Sequence, residues 1–435
     1  MPKALLTDLY ELTMAYSYFK RGLNTPAVFD LYVRPPVPYR RFLLFAGLES
    51  ALTYLENLRF SDEDLAYLES LGLFDRHFLD YLKDFRFSGE VWAMPEGEVV
   101  YPGEPLLTVE APRIEAQIVE TYLLNTINFE TLIASKAARV LLAAGPEASV
   151  VDFSPRRDHG EDAALKVARS AYLAGFDGTS NVQAGKRYGI PVVGTMAHSY
   201  VMSFPDELTA FRAFAEDHPR PILLIDTYDT LQGLEHAIVV ARELEARGRR
   251  LLGVRIDSGD LPELTRRVRA RLDEAGLEEV KIFISGDLDE YKIRDFKAAG
   301  GEAWGYGVGT RLGTSYDLPA LGGVYKLVCD AEGPRIKKSP GKRTLPGRKQ
   351  VWRGPKGDLV ALREEVHPGR PLLQRVMERG RRLLPPPDLA ALRERTRSRL
   401  FALPEEQRVI DRPESPRYPV AVSEPLKRLQ ESASA

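Results

Sequence analysis

The chain has 435 residues, 60 Lys and Arg against 62 Asp and Glu, and a net charge of -2. That balance argues against a dedicated nucleic-acid or membrane-surface binder, and no apolar run of about 18 residues offers a bilayer span. One cysteine, Cys329, excludes an internal disulfide framework and any multi-cysteine zinc site, and with no apolar leader after Met1-Pro2-Lys3 the cytoplasm is the expected address.

Residues 5–20 carry Leu9, Leu12, Thr13, Tyr16 and Phe19 near one face and predict a helix. Residues 27–33 predict a strand and 42–58 a helix. The stretch 91–111 is β-rich, with Pro-Gly punctuation at Met94-Pro95-Glu96-Gly97 and Tyr101-Pro102-Gly103. A long helical stretch over 113–144 closes an N-terminal α/β domain, 1–145. The pattern then changes. Buried strands are expected at 148–153, 191–195, 221–226, 251–257, 281–285 and 303–309, with helices at 161–175, 206–217, 230–248, 260–276 and 288–300. Such alternation means parallel strands covered by helices, in an open sheet or a barrel, over a second domain, 146–325. One more strand, 324–328, leads into a Pro-, Gly- and Arg-rich C-terminal segment, 326–435.

In a parallel α/β layout ligands gather at the C-terminal ends of the strands. The residues that follow the predicted strands are Arg156-Arg157, His198, Asp226-Thr227-Tyr228-Asp229, Asp257-Ser258-Gly259-Asp260, Ser285-Gly286-Asp287 and Gly309-Thr310-Arg311. Cations, hydroxyls, glycines and carboxylates converging on one face suit a phosphorylated ligand with Mg²⁺. Each alone has an ordinary explanation: Asp260 before Leu261-Pro262 reads as an N-cap, and His198 as a loop histidine bonded to a carbonyl. In Leu251–Asp257 the period of two sends Leu252, Val254 and Ile256 toward the helices and Gly253, Arg255 and Asp257 the other way. An inward guanidinium needs a planar anion, either a permanent partner such as Asp257 or the carboxylate of a substrate. Thr195 shares the orientation of Val193 and could reach the same ligand. No phosphate loop, dinucleotide fingerprint, serine elbow or transition-metal spacing is present.

The chain resembles the nicotinate phosphoribosyltransferases along most of its length. The motifs that carry the resemblance are Leu6-Thr7-Asp8-Leu9-Tyr10-Glu11-Leu12-Thr13-Met14, Arg156-Arg157, Gly178-Thr179-Ser180-Asn181 and Gly194-Thr195-Met196-Ala197-His198-Ser199. They continue with Val254-Arg255-Ile256-Asp257-Ser258-Gly259-Asp260-Leu261, Gly307-Val308-Gly309-Thr310, Gly322-Gly323-Val324-Tyr325-Lys326-Leu327-Val328 and the basic run from Lys337 to Lys349. The resemblance implies an incomplete parallel α/β barrel with an N-terminal, β-rich α/β domain and a C-terminal extension that partly returns to it. It also implies a homodimer with shared active sites. The implied reaction joins nicotinate to phosphoribosyl pyrophosphate, giving nicotinate mononucleotide and pyrophosphate in NAD salvage. ATP hydrolysis is coupled to it through transient phosphorylation of His198. Tyr10, Thr195 and Arg255 are the implied nicotinate contacts, and Gly309 and Thr310 hold the 5′-phosphate. Phe153, Arg156, Arg157, Ser258, Ser285, Gly286 and Asp287 complete the expected substrate-binding set, with Asp257 catalytic and Asp257 and Asp287 as metal candidates. Where the family has a Phe-Gly turn before the paired arginines, this chain has Phe153-Ser154-Pro155. A four-cysteine zinc module found in some relatives cannot be present.

The alternatives are a nicotinamide or quinolinate phosphoribosyltransferase of the same barrel. A remoter one is RNA binding through 335–353, with Arg335, Lys337, Lys338, Lys342, Arg343, Arg348, Lys349 and Arg353 and only Trp352 to stack on a base.

Overall fold

The computed structural model describes residues 4–339, 343–410 and 418–433. The chain forms two compact units, one of Met1–Ser135, Ala320–Asp388 and Pro413–Ala435, the other of Lys136–Pro319 and Leu389–Arg412. The division falls inside the helix Glu120–Ala144 and not after it, and the C-terminal segment contributes to both units.

The first unit is built on a seven-stranded antiparallel sheet in the order Gly333–Pro334, Gly323–Asp330, Pro26–Val33, Pro105–Pro112, Glu90–Ala93, Gln374–Glu378, Arg381–Arg382. Strands from the two ends of the chain therefore lie side by side. Ala27 to Leu31 are buried without alternation, as in a strand covered on both faces. The predicted helix over 42–58 is corrected: Leu43–Leu44 is a short strand paired with Val99–Val100, and the helix is Leu48–Asn57. Gly47 separates them with φ of +97°, a conformation that stops a helix from extending backwards through it. Four of the eight cations of the basic run are ion-paired within this unit. Arg335 meets Asp330, Arg348 meets Glu110, Lys349 meets Asp30, and Arg353 meets Asp358 and Glu98. These four cations answer the unit's own carboxylates, while Lys337 and Lys338 are exposed and Lys342 lies outside the described residues.

On the helix Leu9–Lys20, Glu11 is fully buried and accepts hydrogen bonds from Thr7 Oγ1, from the Thr121 N–H (3.0 Å) and from Thr121 Oγ1 (2.7 Å). Burial foremost, with the charge of Glu120, pushes its carboxyl up to about 7 against those bonds. A folded-state value above the unfolded one means stability that is present in acid and lost as pH rises through about 7. Glu11→Gln is expected to remove that loss, gaining about 1–3 kcal/mol over the parent near pH 8 and little near pH 5. Melting curves at both pH values check this; equal losses in the two proteins would contradict it.

The second unit holds a six-stranded, wholly parallel sheet in the order Gly178–Thr179, Ser149–Asp152, Gly305–Val308, Lys281–Ile284, Gly253–Ile256, Ile222–Leu224. Helices Glu161–Leu173, Glu207–Asp217, Thr230–Glu245, Leu261–Glu274 and Glu290–Ala298 intervene. Val254 and Ile256 are fully buried, while Arg255 between them keeps 16% of its side chain exposed, as alternation requires. The fully buried strand expected at 191–195 is not formed. Pro191 and Val192 are exposed, and the segment contributes one bridge, Val192 to Thr179. Pro191 has no N–H to give a ladder, and Gly178 and Thr179 offer only a two-residue edge. Asp206, Asp229, Asp260 and Asp289 cap the helices that follow the strands. Among the described residues no helix is long and apolar enough to cross a membrane.

Candidate active site

Arg255 is the centre of the strand-end cluster. Its Nε donates to Ser285 Oγ (2.8 Å), one terminal nitrogen donates to Thr195 Oγ1 (3.0 Å) and the Met196 carbonyl (3.2 Å), and the other donates to Asp257 Oδ1 (2.9 Å). A guanidinium has five N–H donors. Four are committed here, so Asp257 is the permanent partner, and one N–H on the Asp257 side stays available to a ligand. The Phe153 ring lies 5.6 Å from the guanidinium carbon. Phe153 is held by its N–H to the Val308 carbonyl (2.8 Å), and only a glycine at 307 leaves room for its ring, since a Cβ there would come within 2.5 Å.

Asp257 also accepts from Ser285 Oγ. Burial pushes its carboxyl up, but the Ser285 and Arg255 hydrogen bonds, with the charges of Arg255 and His198, outweigh that and hold it below the usual carboxylate range. His198, the first residue of the helix His198–Met202, places Nδ1 3.1 Å from Thr227 Oγ1. The imidazole and the guanidinium, far apart in sequence, thus share Asp257 as a neighbour. Gly286 (φ +100°) and Asp287 (φ +56°) turn the chain sharply after Ser285, and Asp287 faces Arg311 and Lys292, each at 3.6 Å. Ser258 Oγ donates to Asp226 Oδ2 (2.7 Å). Gly309 follows the last strand, and Thr310 opens the helical turn Thr310–Gly313.

Arg156 and Arg157 are exposed on the turn after Ser149–Asp152 and are not bonded to the Arg255 cluster. Tyr10 belongs to the first unit and is 47% exposed. Burial, then the charges of Glu120, Glu11 and Asp8, push its phenol above the ordinary tyrosine range. The sequence places Asp226 and Thr227 among the strand-end residues, after the apolar run Ile222–Ile225, but assigns neither an individual role. Asp226 Oδ2 accepts the Asp257 N–H (2.9 Å), and its Oδ1 is buried without a partner. A cavity of about 600 Å³, lined by Lys281, Lys297 and Trp304 among others, opens at the opposite ends of these strands and holds none of the expected residues.

Among the described residues no three His, Cys, Asp or Glu side chains gather as a metal cage. Magnesium is commonly held by one or two carboxylates and the phosphates of a substrate. The unpartnered oxygen of Asp226, beside Asp257, fits that mode.

Three family descriptions match the chain: the nicotinate phosphoribosyltransferase N-terminal domain over 5–128, the nicotinate phosphoribosyltransferase family over 148–322, and its C-terminal domain over 365–430. Nicotinate phosphoribosyltransferase pncB2 of Mycobacterium tuberculosis is 48% identical over 442 residues, covering 99% of this chain and 95% of that protein. The nicotinate phosphoribosyltransferase of Bacillus subtilis is 41% identical over 460 residues, covering 97% and 93%. The crystal structure of human nicotinic acid phosphoribosyltransferase superposes with a TM-score of 0.84 at 32% identity, covering 98% of this chain and 99% of that one.

Proposed function

The chain belongs to the nicotinate phosphoribosyltransferase family and is an enzyme of that activity, and from this premise we propose how its own residues divide the work. The pyridine nitrogen of nicotinate attacks C1 of phosphoribosyl pyrophosphate, the bond from C1 to the pyrophosphate oxygen breaks, and nicotinate mononucleotide and pyrophosphate are released. The nucleophile needs no activation, so the protein's contribution is positioning and the steadying of charge on the departing group. The observation that carries the assignment is the Arg255 guanidinium, locked by Ser285, Thr195 and Asp257 with one N–H uncommitted and its central carbon 5.6 Å from the Phe153 ring. That N–H receives the nicotinate carboxylate, with Thr195 beside it and Phe153 as the apolar wall for the ring. Gly309 and Thr310 take the 5′-phosphate, and Arg156 and Arg157 the pyrophosphate. Ser258, Ser285, Gly286 and Asp287 complete the donor's surroundings.

Asp226, Asp257 and Asp287 are the carboxylates that would hold magnesium, which when bound neutralises charge on pyrophosphate oxygens. His198 accepts a phosphoryl group from ATP as ADP leaves and later yields it to water, coupling hydrolysis to donor binding through the added charge. We read the parallel sheet as an incomplete barrel. Its first and last long strands, Ser149–Asp152 and Gly305–Val308, are neighbours, and the cyclic order breaks between the Val192 bridge and Ile222–Leu224. A homodimer in which Tyr10 reaches a partner's site is supported by Leu6, Leu9 and Tyr10, exposed by 43%, 51% and 47%. Cytoplasmic residence completes the reading.

The test is His198→Ala, assayed with nicotinate, phosphoribosyl pyrophosphate and Mg²⁺, with and without γ-labelled ATP. The expected result is loss of both ATP stimulation and protein-bound label, with basal transfer retained. Undiminished stimulation would remove His198 from the coupling.

A further inference from the structure

The turn after Ser149–Asp152 sets two carboxyl groups on one hydroxyl. Asp152 is 1% exposed; its Oδ1 accepts the Ser154 N–H (2.9 Å) and lies 2.6 Å from Ser154 Oγ, and its Oδ2 accepts Thr179 Oγ1 (2.7 Å). The same Ser154 Oγ lies 3.1 Å from Asp158 Oδ2. A serine hydroxyl carries one hydrogen and cannot donate to both acids. If both were ionised, one of these contacts would press lone pair on lone pair. The shorter bond goes to Asp152, which three donors surround, so the proton that resolves the conflict sits on Asp158. Asp158 Oδ2–H then donates to Ser154 Oγ, and Ser154 Oγ–H donates to Asp152.

The other Asp158 oxygen agrees with a neutral acid. Oδ1 is buried without a hydrogen-bond partner, which costs far less for a carboxylic acid than for a carboxylate. It lies against Gly313, where a Cβ would come within 1.8 Å. Among the described residues no ion pair reaches Asp158. The groups that face it are Asp152 from the strand end, Ser154 from its own turn, and the Gly313 backbone of Thr310–Gly313. Arg311 of that helical turn is directed to Asp289 (2.8 Å) and Asp287. Lys166 of the following helix pairs with Asp162, and Arg156, Arg157 and His159 of the same turn are exposed. Burial first, then the charge of Asp152, push the Asp158 carboxyl up to about 7 against the Ser154 bond.

We propose that Asp158 is a positioning residue that works as a carboxylic acid. The relay Asp158–Ser154–Asp152 pins the turn that presents Arg156 and Arg157, and affinity for phosphoribosyl pyrophosphate falls when this proton is lost. The inference rests on the assignment of the two arginines to that substrate. Because the folded-state value is raised, the relay is intact in acid and is lost as pH climbs through about 7. Ser154 supplies the bridging hydroxyl of this turn.

The experiment measures kcat and KM for phosphoribosyl pyrophosphate from about pH 6 to about pH 8.5 in wild type, Asp158→Asn, Ser154→Ala and Arg156→Ala/Arg157→Ala, with melting temperatures of the unliganded proteins. The substrate's own titration is common to all and cancels in their ratios. Wild-type KM is expected to rise about tenfold relative to Asp158→Asn across this range, with kcat within about twofold, because the asparagine amide keeps donating to Ser154 at every pH. Ser154→Ala is expected to show the raised KM throughout, and wild type to lose more melting temperature than Asp158→Asn above about pH 7. Parallel pH profiles for wild type and Asp158→Asn, or a higher KM for Asp158→Asn at every pH, would overturn the relay. An unchanged KM in the double arginine variant would instead overturn the arginine assignment, and with it the link to this substrate, while the melting comparison still decides whether the proton is there.

Discussion

Arg255→Lys is expected to cost about 10²–10³ in kcat/KM for nicotinate and to erase most of the preference for nicotinate over nicotinamide, in a protein that still folds. The guanidinium spans Ser285, Thr195, the Met196 carbonyl and Asp257 at once and keeps one N–H in hand. An ammonium has three donors at one point and cannot reach Ser285 and Thr195 while holding Asp257. The half-buried Asp257 carboxylate then loses its planar partner and keeps only the Ser285 hydroxyl as a fixed donor. Asp257, now held below the usual range by Ser285 and Arg255, would rise toward it, moving the acid limb of the pH profile upward. Steady-state kinetics with both pyridines, alongside a melting curve, check this. Retention of activity within about tenfold with the preference intact would mean that the guanidinium is a structural tie and that another group reads the carboxylate.

Local patterns carried the second unit because its strands and helices alternate in sequence as they do in space. Leu252, Val254 and Ile256 against Gly253, Arg255 and Asp257 is a period of two that needs no neighbour to be read. The strand ends that gather around Arg255 follow from that layout. The 191–195 segment misled because Ile190-Pro191-Val192-Val193 has strand-like composition, while its ladder depends on Thr179, a residue that composition does not reveal. The first unit was less legible for a related reason: Gly323–Asp330 pairs with Pro26–Val33, and Gln374–Glu378 with Glu90–Ala93. Pairing across some three hundred residues leaves no local period. Thr227 was visible as a hydroxyl beyond a buried strand, but only the fold brings it to His198. Ser154 stood out as a departure from the family's turn, and its meaning depends on Asp158 folding back onto it.

Gly286→Ala is expected to be the most damaging single-carbon change near the site. The residue sits at φ of +100°, and a Cβ would stand 2.0 Å from the Asp257 carbonyl oxygen and 3.0 Å from its carbonyl carbon. Backbone cannot yield as a flexible side chain would, so the end of Gly253–Ile256 or the Ser285–Asp287 turn must move by about 1 Å. Either movement separates Ser285 from Asp257 and Arg255. Strain at such a φ costs about 1–3 kcal/mol by itself, and misplacing a positioning group by about 1 Å costs about a hundredfold in rate. The expected result is a stability loss of about 2–4 kcal/mol together with a fall in kcat/KM of at least about a hundredfold. Gly194→Ala supplies the contrast, because a Cβ there would meet no atom within 4 Å, and its melting temperature should stay near that of the parent. Chemical denaturation of the two variants, read beside their kinetics, separates the cases. Equal, small losses at positions 194 and 286 would mean that the turn after Ser285 is looser than its contact with Asp257 implies, and that Arg255 is not held by a rigid strand end.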